Sequence, residues 1–355
     1  MVGGSGEAVP RLAAGHIAQV RGLAEIRIGD QVGSPDGLTG QTYFARPSLE
    51  TVVRARRAGD AAALHSALVS LADQDPLIHT RVGPDGQSSV LLYGEVQKEV
   101  IAATLADLYG LDAVFMPTQI VHLEKPVAVG TAYEPIGHGF AAALGLRVAP
   151  AEPGSGIRYQ REVELGSLPL AFHQAIEETV RHALEQGVHG WPVTDAVVTL
   201  TDCGYLSPVT TAGEFRDLTP LVLAQALAVA GTRVYEPCNR FDLDVPLQRF
   251  GPVTAQLAQL GARIDATTGG ATSWHITGEI PARLVHSFQQ QLPGLSSGEG
   301  TWSSRPWGDR PVAGTPPSRR RTDGNPYDRA EYVRFLAQRT LAAVGRSAGP
   351  TPARP

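Results

Sequence analysis

The chain has 355 residues, of which 43% are hydrophobic and 18% charged, and its 30 basic and 35 acidic residues give a formal net charge of −5. This length predicts two or three folded domains. The composition excludes a disulfide-stapled miniprotein, a coiled coil and a disordered chain, and the mild net charge indicates no nucleic-acid or membrane partner over the surface as a whole. The two cysteines, Cys203 and Cys238, cannot form a disulfide framework and lack the CxxC spacing of a zinc site, which favours a reducing compartment. No signal segment or membrane-spanning run occurs, so we expect a cytoplasmic protein without membrane contact.

Residues 12–32 alternate apolar and polar side chains in short runs, a pattern that predicts two or three β-strands. So few strands do not form a stable sheet alone. We therefore interpret residues 1–36 as the last strands of a β-barrel.

Residues 43–118 follow a turn-rich linker and have strand and helix patterns in the order βαββαβ. Strands are expected at residues 49–53, 78–82, 88–93 and 113–116. Asp60 is expected to cap the first helix, and Gly110 to end the second. The second helix is expected to share one apolar face among Val96, Val100, Ala103 and Leu108.

Residues 119–235 begin with strands and then predict a helix at 170–186, a strand at 196–200, a turn-rich stretch at 202–213 and a helix at 218–230. This is an α/β unit with an exposed loop at one end. Residues 236–312 repeat the βαββαβ order. Residues 313–344 form a basic segment with a helix from Asp328 to Val344, and residues 345–355 are too polar and proline-rich to pack. The predicted fold class is α+β, with two split βαβ (ferredoxin-like) sandwiches flanking the α/β unit.

The sequence carries no recognisable catalytic or metal motif. It contains no GxxxxGK[ST] phosphate loop. His173 and Glu177, with His182 further along, lie on one predicted helix but lack a third convergent ligand. Cys203 and Ser207 lie near the end of a strand, where nucleophiles often occur, but no base can be assigned to them. We therefore expect no catalytic residue, no metal site and no cofactor in this chain.

Charge is distributed unevenly along the chain. Residues 302–339 contain eight arginines and four acidic residues, a local charge of +4, and Trp302, Trp307, Tyr327 and Tyr332 lie among them. Such a segment either contacts RNA or is a solvated helix face whose aromatic residues pack it down, and the sequence does not decide between these readings. The candidate RNA-contacting residues are Arg319, Arg320, Arg321, Arg329 and Arg334.

The loop at residues 204–211 contains Tyr205, Leu206, Pro208 and Val209, although the flanking strand and helix place it at a tip. Apolar loop residues are usually tucked under the loop. The alternative is a wedge that inserts into a partner's crevice, since a proline-stiffened loop loses little entropy on binding.

Several ordered motifs resemble one known family. They are YGEVQKEV at residues 93–100, PT at 117–118 through EKP at 124–126, GLRVAP at 145–150, GSG at 154–156, LGSL at 165–168, GVHGWPVTD at 187–195 and EP at 236–237. Over residues 12–340 the chain resembles the C-terminal half of elongation factor G-like translational GTPases. Within that family it is most similar to the tetracycline-resistance ribosomal protection proteins of the oxytetracycline-resistance type.

The resemblance implies a barrel (domain II) remnant and units like elongation factor G domains III, IV and V, domain IV having a fold like domain 2 of ribosomal protein S5. It implies ribosome binding, with contacts to 16S rRNA and to 23S rRNA near the factor-binding site, and a monomer. In the resistance proteins a Ser-Pro-Val tip reaches the tetracycline site and ejects the drug. By that resemblance Ser207, Pro208 and Val209 displace the drug, with Tyr205, Leu206 and Thr210 beside them. The loops Ile136, Gly137, His138, Gly139, Phe140 and Gly187, Val188, His189, Gly190 are expected to contact neighbouring rRNA.

The chain departs from the family pattern in two ways. A second tip tyrosine common in the family is Leu206 here. The GTPase domain of the family, which binds GTP and Mg²⁺, has no counterpart in this sequence, and we expect a truncation, a split gene or a misplaced start codon. Two alternatives to drug protection stay open: a fragment of a translation factor that acts in translocation, and a degenerate remnant.

Overall fold

The computed structural model describes residues 47–75, 77–83 and 86–347. The barrel strands predicted within residues 1–36 lie outside these residues, as do residues 348–355 of the predicted tail. The described residues form three β-sheets, each covered by two helices, and a C-terminal segment that ends in a further helix.

The first unit is an antiparallel sheet with the strand order β2-β3-β1-β4. Its elements are β1 (Leu49–Ala55), α1 (Ala61–Gln74), β2 (His79–Val82), β3 (Ser88–Leu92), α2 (Val96–Tyr109), β4 (Ala113–Phe115) and β5 (Gln119–Ile120). Leu68 of α1 and Leu105 of α2 are fully buried against Leu92 of β3. The predicted βαββαβ element order of this unit is confirmed.

Helix α2 turns a different face to the sheet from the one predicted. Val96, Val100 and Leu108 are exposed, whereas Ile101 and Leu105 are buried. The helix carries two apolar stripes, and the sheet selects the stripe with the i, i+4 pair of larger branched side chains. Gly110 ends the helix in a left-handed conformation, as predicted.

The central unit contains a four-stranded sheet with the order β7-β8-β10-β9, in which β9 runs parallel to β10 and the other pairs are antiparallel. A connecting strand and then the elements of the unit are β6 (Leu123–Pro126), β7 (Gly130–Glu134), β8 (Ala142–Pro150), β9 (Ile157–Arg161), α3 (Leu170–Ala183), β10 (Ala196–Tyr205) and α4 (Ala212–Ala230). Leu144, Ile176 and Phe215 are fully buried in its core.

The loop between β10 and α4 is shorter than the predicted turn-rich stretch. Strand β10 continues to Tyr205 because β8 extends to Ala142 and pairs with it. Helix α4 begins at Ala212, six residues before the predicted start, and the Thr211 hydroxyl accepts a hydrogen bond from the Glu214 N–H at its N-terminus. Only residues 206–211 are left to connect the two elements.

The third unit repeats the antiparallel strand order of the first, as β12-β13-β11-β14. Its elements are β11 (Thr232–Pro246), α5 (Phe250–Gln259), β12 (Arg263–Gly269), β13 (Ser273–Pro281), α6 (Ala282–Ser296) and β14 (Thr301–Pro311). Phe241, Ile276 and Phe288 are fully buried between the sheet and its helices. Strand β11 begins four residues before the unit boundary predicted at residue 236, because its first four residues pair with β6.

The C-terminal segment, defined as residues 312–347, crosses the central unit. Its helix α7 (Arg329–Ser347) extends into the first three residues of the predicted disordered tail. Tyr332 is buried in the core of the central unit, and its hydroxyl donates to the carbonyl oxygen of Asp217 in α4. Arg319 pairs with Glu50 of the first unit, with 2.8 Å between Nη1 and Oε2.

Two adjacent residues of β6 join the units. The fully buried Glu124 carboxylate accepts hydrogen bonds from the N–H groups of His189 and Trp191 and from the Thr232 hydroxyl. Lys125 pairs with Asp195 of the central unit at 2.6 Å and with Asp309 of the third unit at 2.8 Å. Buried charges need such partners, because desolvation is otherwise costly.

The packing of α2 predicts different stabilities for two leucines three residues apart. Leu105→Ala removes a fully buried side chain and is expected to lower the free energy of unfolding by about 2–5 kcal/mol. Leu108→Ala, the matched control on the exposed face, is expected to change it by less than about 0.5 kcal/mol. Denaturant unfolding of both variants measures this, and equal losses would contradict the observed orientation of α2.

Candidate functional site

The tip, defined as residues 205–211, lies at the end of β10. Three large apolar side chains are open to solvent there: Tyr205 is 40% exposed, Leu206 46% and Val209 63%. The reading in which these residues are tucked under the loop is therefore wrong for this chain. Isolated exposed apolar residues are ordinary, but a cluster on one loop marks a surface that a partner can cover.

The base of the tip is fixed by one buried side chain. The Thr210 hydroxyl accepts a hydrogen bond from the Leu206 N–H at 2.8 Å and donates to the carbonyl oxygen of Ala141. The Thr210 N–H in turn donates to the Leu206 carbonyl oxygen at 2.8 Å. The loop is thus closed on itself and bonded to the start of β8.

The hairpin loop between β7 and β8 lies beside the tip. A Cβ atom placed on Gly204 would come within 3.7 Å of the Ile136 side chain, so the two loops are in contact range. Gly137 and Gly139 both have φ values near +97° to +98°, which glycine adopts without strain. Glu214 of α4 accepts a hydrogen bond from the Ala141 N–H at 3.1 Å and thereby joins this hairpin to the helix.

Tyr205 is anchored on one side only. Its ring makes an edge-to-face contact with Phe172 at 5.7 Å, and Phe172 packs on the buried Phe215 at 5.2 Å. Aromatic pairs of this geometry hold a ring in place. The exposed part of the ring remains available to a stacking partner.

The loop of Gly187, Val188, His189 and Gly190 does not neighbour the tip. Helix α3 starts near Tyr205 and runs back along the sheet, so the loop that follows it lies at the first residue of β10, at the opposite end of the strand. There the carbonyl oxygen of Gly187 accepts a hydrogen bond from Arg321. Residues 136–140 therefore lie beside the tip, whereas residues 187–190 lie at the opposite end of the central sheet, because α3 runs away from the tip.

Arg319, Arg321 and Arg329 join the C-terminal segment to other parts of the chain. Arg319 pairs with Glu50, Arg321 bonds Asp323 and two carbonyl oxygens, and Arg329 bonds Glu134 and the carbonyl oxygen of His138. Arg334 lies exposed on α7, and its Nε donates to the Ala330 carbonyl oxygen. Arg320 lines a cleft of about 620 Å³ between the first unit, α3 and α7. Tyr327 and Tyr332 pack against the core of the central unit and Trp302 packs against that of the third, whereas Trp307 is exposed.

His173, Glu177 and Cys203 are the residues considered above for metal or nucleophilic chemistry. No group of three His, Cys, Asp or Glu side chains within those residues could hold a metal ion. His173 is buried, and Glu177 bonds Arg181 instead. Burial raises the pKa of the Cys203 thiol, which disfavours the nucleophilic thiolate. None of the helices in the described part of the chain has the length and hydropathy that a bilayer span needs.

Two consecutive parts of the chain match models of known protein families. Residues 125–231 match the family model for elongation factor G, domain IV, and residues 233–320 match that for the elongation factor G C-terminus. A tetracycline resistance protein, TetM of Streptomyces lividans, is 49% identical over 85% of this chain and 47% of its own length. The oxytetracycline resistance protein of Streptomyces rimosus is 44% identical over 95% of this chain and 52% of its own.

A protein of known crystal structure from Thermus thermophilus has a similar fold. It aligns with a TM-score of 0.56 at 23% identity, over 76% of this chain and 42% of its own length. The chain thus spans about half the length of the curated relatives that it matches.

The geometry of the tip gives a prediction for Thr210. Thr210→Val keeps the shape but leaves the Leu206 N–H and the Ala141 carbonyl oxygen without their partner, so we expect a loss of about 1–3 kcal/mol in stability. Hydrogen exchange at the Leu206 amide should become faster. Thr210→Ser retains the hydroxyl and serves as the control. Unchanged exchange in the valine variant would mean that Thr210 does not hold the loop.

Proposed function

We propose a function for this chain from one premise: it belongs to the elongation factor G-like family of tetracycline resistance proteins. The proposed function is to bind the ribosome and protect it from tetracycline by inserting the tip at the drug site on 16S rRNA. GTP hydrolysis is assigned to no residue of this chain and belongs to the GTPase domain of the family. The first and third units, with their repeated strand order, are interpreted as the two split βαβ sandwiches, domains III-like and V-like, with boundaries near residues 118, 235 and 312.

The observation that carries the proposal is an apolar tip on a fixed base. Leu206 and Val209 are exposed to water, while Thr210 beneath them is buried and bonded to two loops. A loop that is already ordered loses little conformational entropy when it binds, so more of the gain from burying its side chains becomes affinity. This arrangement suits insertion into a preformed crevice.

The chemistry of the tip also suits RNA. Tyr205 presents part of an aromatic ring whose other edge is fixed by Phe172, and bases unstacked from an RNA helix bind to such rings. Ser207 and Pro208, between Leu206 and Val209, are small enough for a narrow pocket. We assign drug displacement to Ser207, Pro208 and Val209, and RNA contact to Tyr205 and the hairpin loop at residues 136–140.

The proposal implies that the chain works as a monomer in the cytoplasm, where ribosomes are found. Contact with 23S rRNA near the factor-binding site belongs to the same proposal. The alternative is a translocation role, which the matches to the elongation factor G family models support. The two roles predict different effects on the ribosome. A translocation factor accelerates tRNA movement without drug, whereas a protection protein releases bound tetracycline.

The proposal is tested by a chimera in which this chain replaces the segment that it matches in the Streptomyces lividans relative. Changing Ser207, Pro208 and Val209 together to glycine is expected to abolish release of labelled tetracycline from ribosomes while ribosome co-sedimentation persists. The matched control changes Glu152 and Pro153 to glycine, because this exposed turn lies at the other end of the sheet. Undiminished drug release by the tip variant would refute the assignment.

A further inference from the structure

The open face of the third sheet carries an unusual row of charges. Four residues lie directly opposite one another across β12, β13, β11 and β14, in the order Arg263, Glu279, Arg240 and Arg305. The row holds three arginines and one carboxylate. Glu279 bonds Arg263 at 3.0 Å, and within the described residues the side chains of Arg240 and Arg305 form no hydrogen bond and no ion pair. Arg240 and Arg305 lie directly opposite each other, and like charges in that position destabilise a sheet. Their repulsion lowers the stability of the fold.

An exposed tryptophan lies at the end of this row. Cys238 of β11 pairs with Gly308 and Asn239 pairs with Pro306, which leaves Trp307 as the extra residue of a β-bulge. Bulges at sheet edges redirect side chains. Trp307 is 53% exposed, and its ring centroid lies 5.0 Å from the guanidinium carbon of Arg240 and 5.9 Å from that of Arg305. Two unpaired guanidinium groups and an open indole ring therefore share one surface.

We infer that Arg240, Arg305 and Trp307 form an RNA-binding platform, with the arginines on backbone phosphates and the indole stacked on a base. Phosphate supplies the missing counter-charge for the arginine pair, and an aromatic ring accepts any base because every base has a π face. An open sheet face that carries aromatic side chains is a recurring RNA-binding surface in proteins of βαββαβ order. A peptide added as a further strand on β14 is disfavoured, because Pro306 and Pro311 of that edge lack N–H donors.

This inference rests on the proposed function only for the source of the RNA, which is the ribosome. The platform lies on β11 and β14, whereas the tip lies between β10 and α4. It also replaces the basic segment at residues 319–334 as the main candidate for RNA contact, since Arg319, Arg321 and Arg329 are bonded within the chain.

The test titrates the full chain with a fluorescein-labelled, unstructured RNA of about 20 nucleotides, longer than the roughly 4–16 nucleotides that one single-strand-binding module covers. Trp307→Ala is expected to weaken binding about tenfold and to remove the quenching of indole fluorescence that the RNA causes. Arg240→Gln with Arg305→Gln is expected to weaken binding and to lower the salt slope of log Kd by about 2. Arg249→Gln, which removes one exposed positive charge elsewhere in the same unit, is the control for overall charge and is expected to bind like the parent chain.

Three outcomes would contradict the proposal that this surface binds RNA. RNA affinity in the Trp307 and double-arginine variants equal to that of the parent chain excludes it. Equal loss in the Arg249 variant reduces the effect to overall charge. Loss of ribosome binding with RNA affinity intact assigns the surface to a protein partner. The glycine variant of the tip is expected to bind this RNA normally, so failure of drug release and failure of the platform are separate results.

Discussion

The arrangement of the chain depends on the buried carboxylate of Glu124 and its neighbour Lys125. Glu124 has no exposure to solvent and therefore requires the donors that it receives from His189, Trp191 and Thr232. Lys125 adds ion pairs to the central and third units. Because the donors come from the loop after α3 and from the start of β11, the carboxylate is satisfied only when the base of the central unit is assembled.

The rigid base of the central unit determines the position of the distant tip. The tip is separated from Glu124 by the length of β10, and an error in the angle at the base would become a displacement at Val209. The C-terminal segment adds a second constraint, since it joins Glu50, the carbonyl oxygen of Gly187 and the hairpin beside the tip through three arginines. Arginine suits this task because its guanidinium group bonds several acceptors at fixed geometry.

The sequence predicts the order of the elements well, because apolar periodicity and turn residues are local signals. Gly110 ends α2 as expected, and the βαββαβ order appears twice. What failed depended on tertiary contacts. The exposed Val96 and Leu108 lie on a stripe as apolar as the buried one, and only the sheet chooses between them.

The candidate site divides in the same way. The sequence identified the tip because its loop carries apolar residues, which are unusual on an exposed loop. Its proposed role comes from the family resemblance. The position of Gly187 to Gly190 needed the direction of α3, which a sequence does not state. The sequence did not reveal the platform of Arg240, Arg305 and Trp307. Arg305 and Trp307 lie at least 65 residues after Arg240 and meet it only through strand pairing.

The most direct test of the account is where the tip lies on the ribosome. An iron chelate tethered at Val209→Cys, in a chain whose Cys203 and Cys238 are changed to alanine, cleaves RNA near the tether. The account predicts cleavage of 16S rRNA around the tetracycline site, and none there from the same chelate at Val188→Cys at the other end of the sheet. Identical cleavage patterns from the two positions, or no 16S cleavage from Val209, would contradict it.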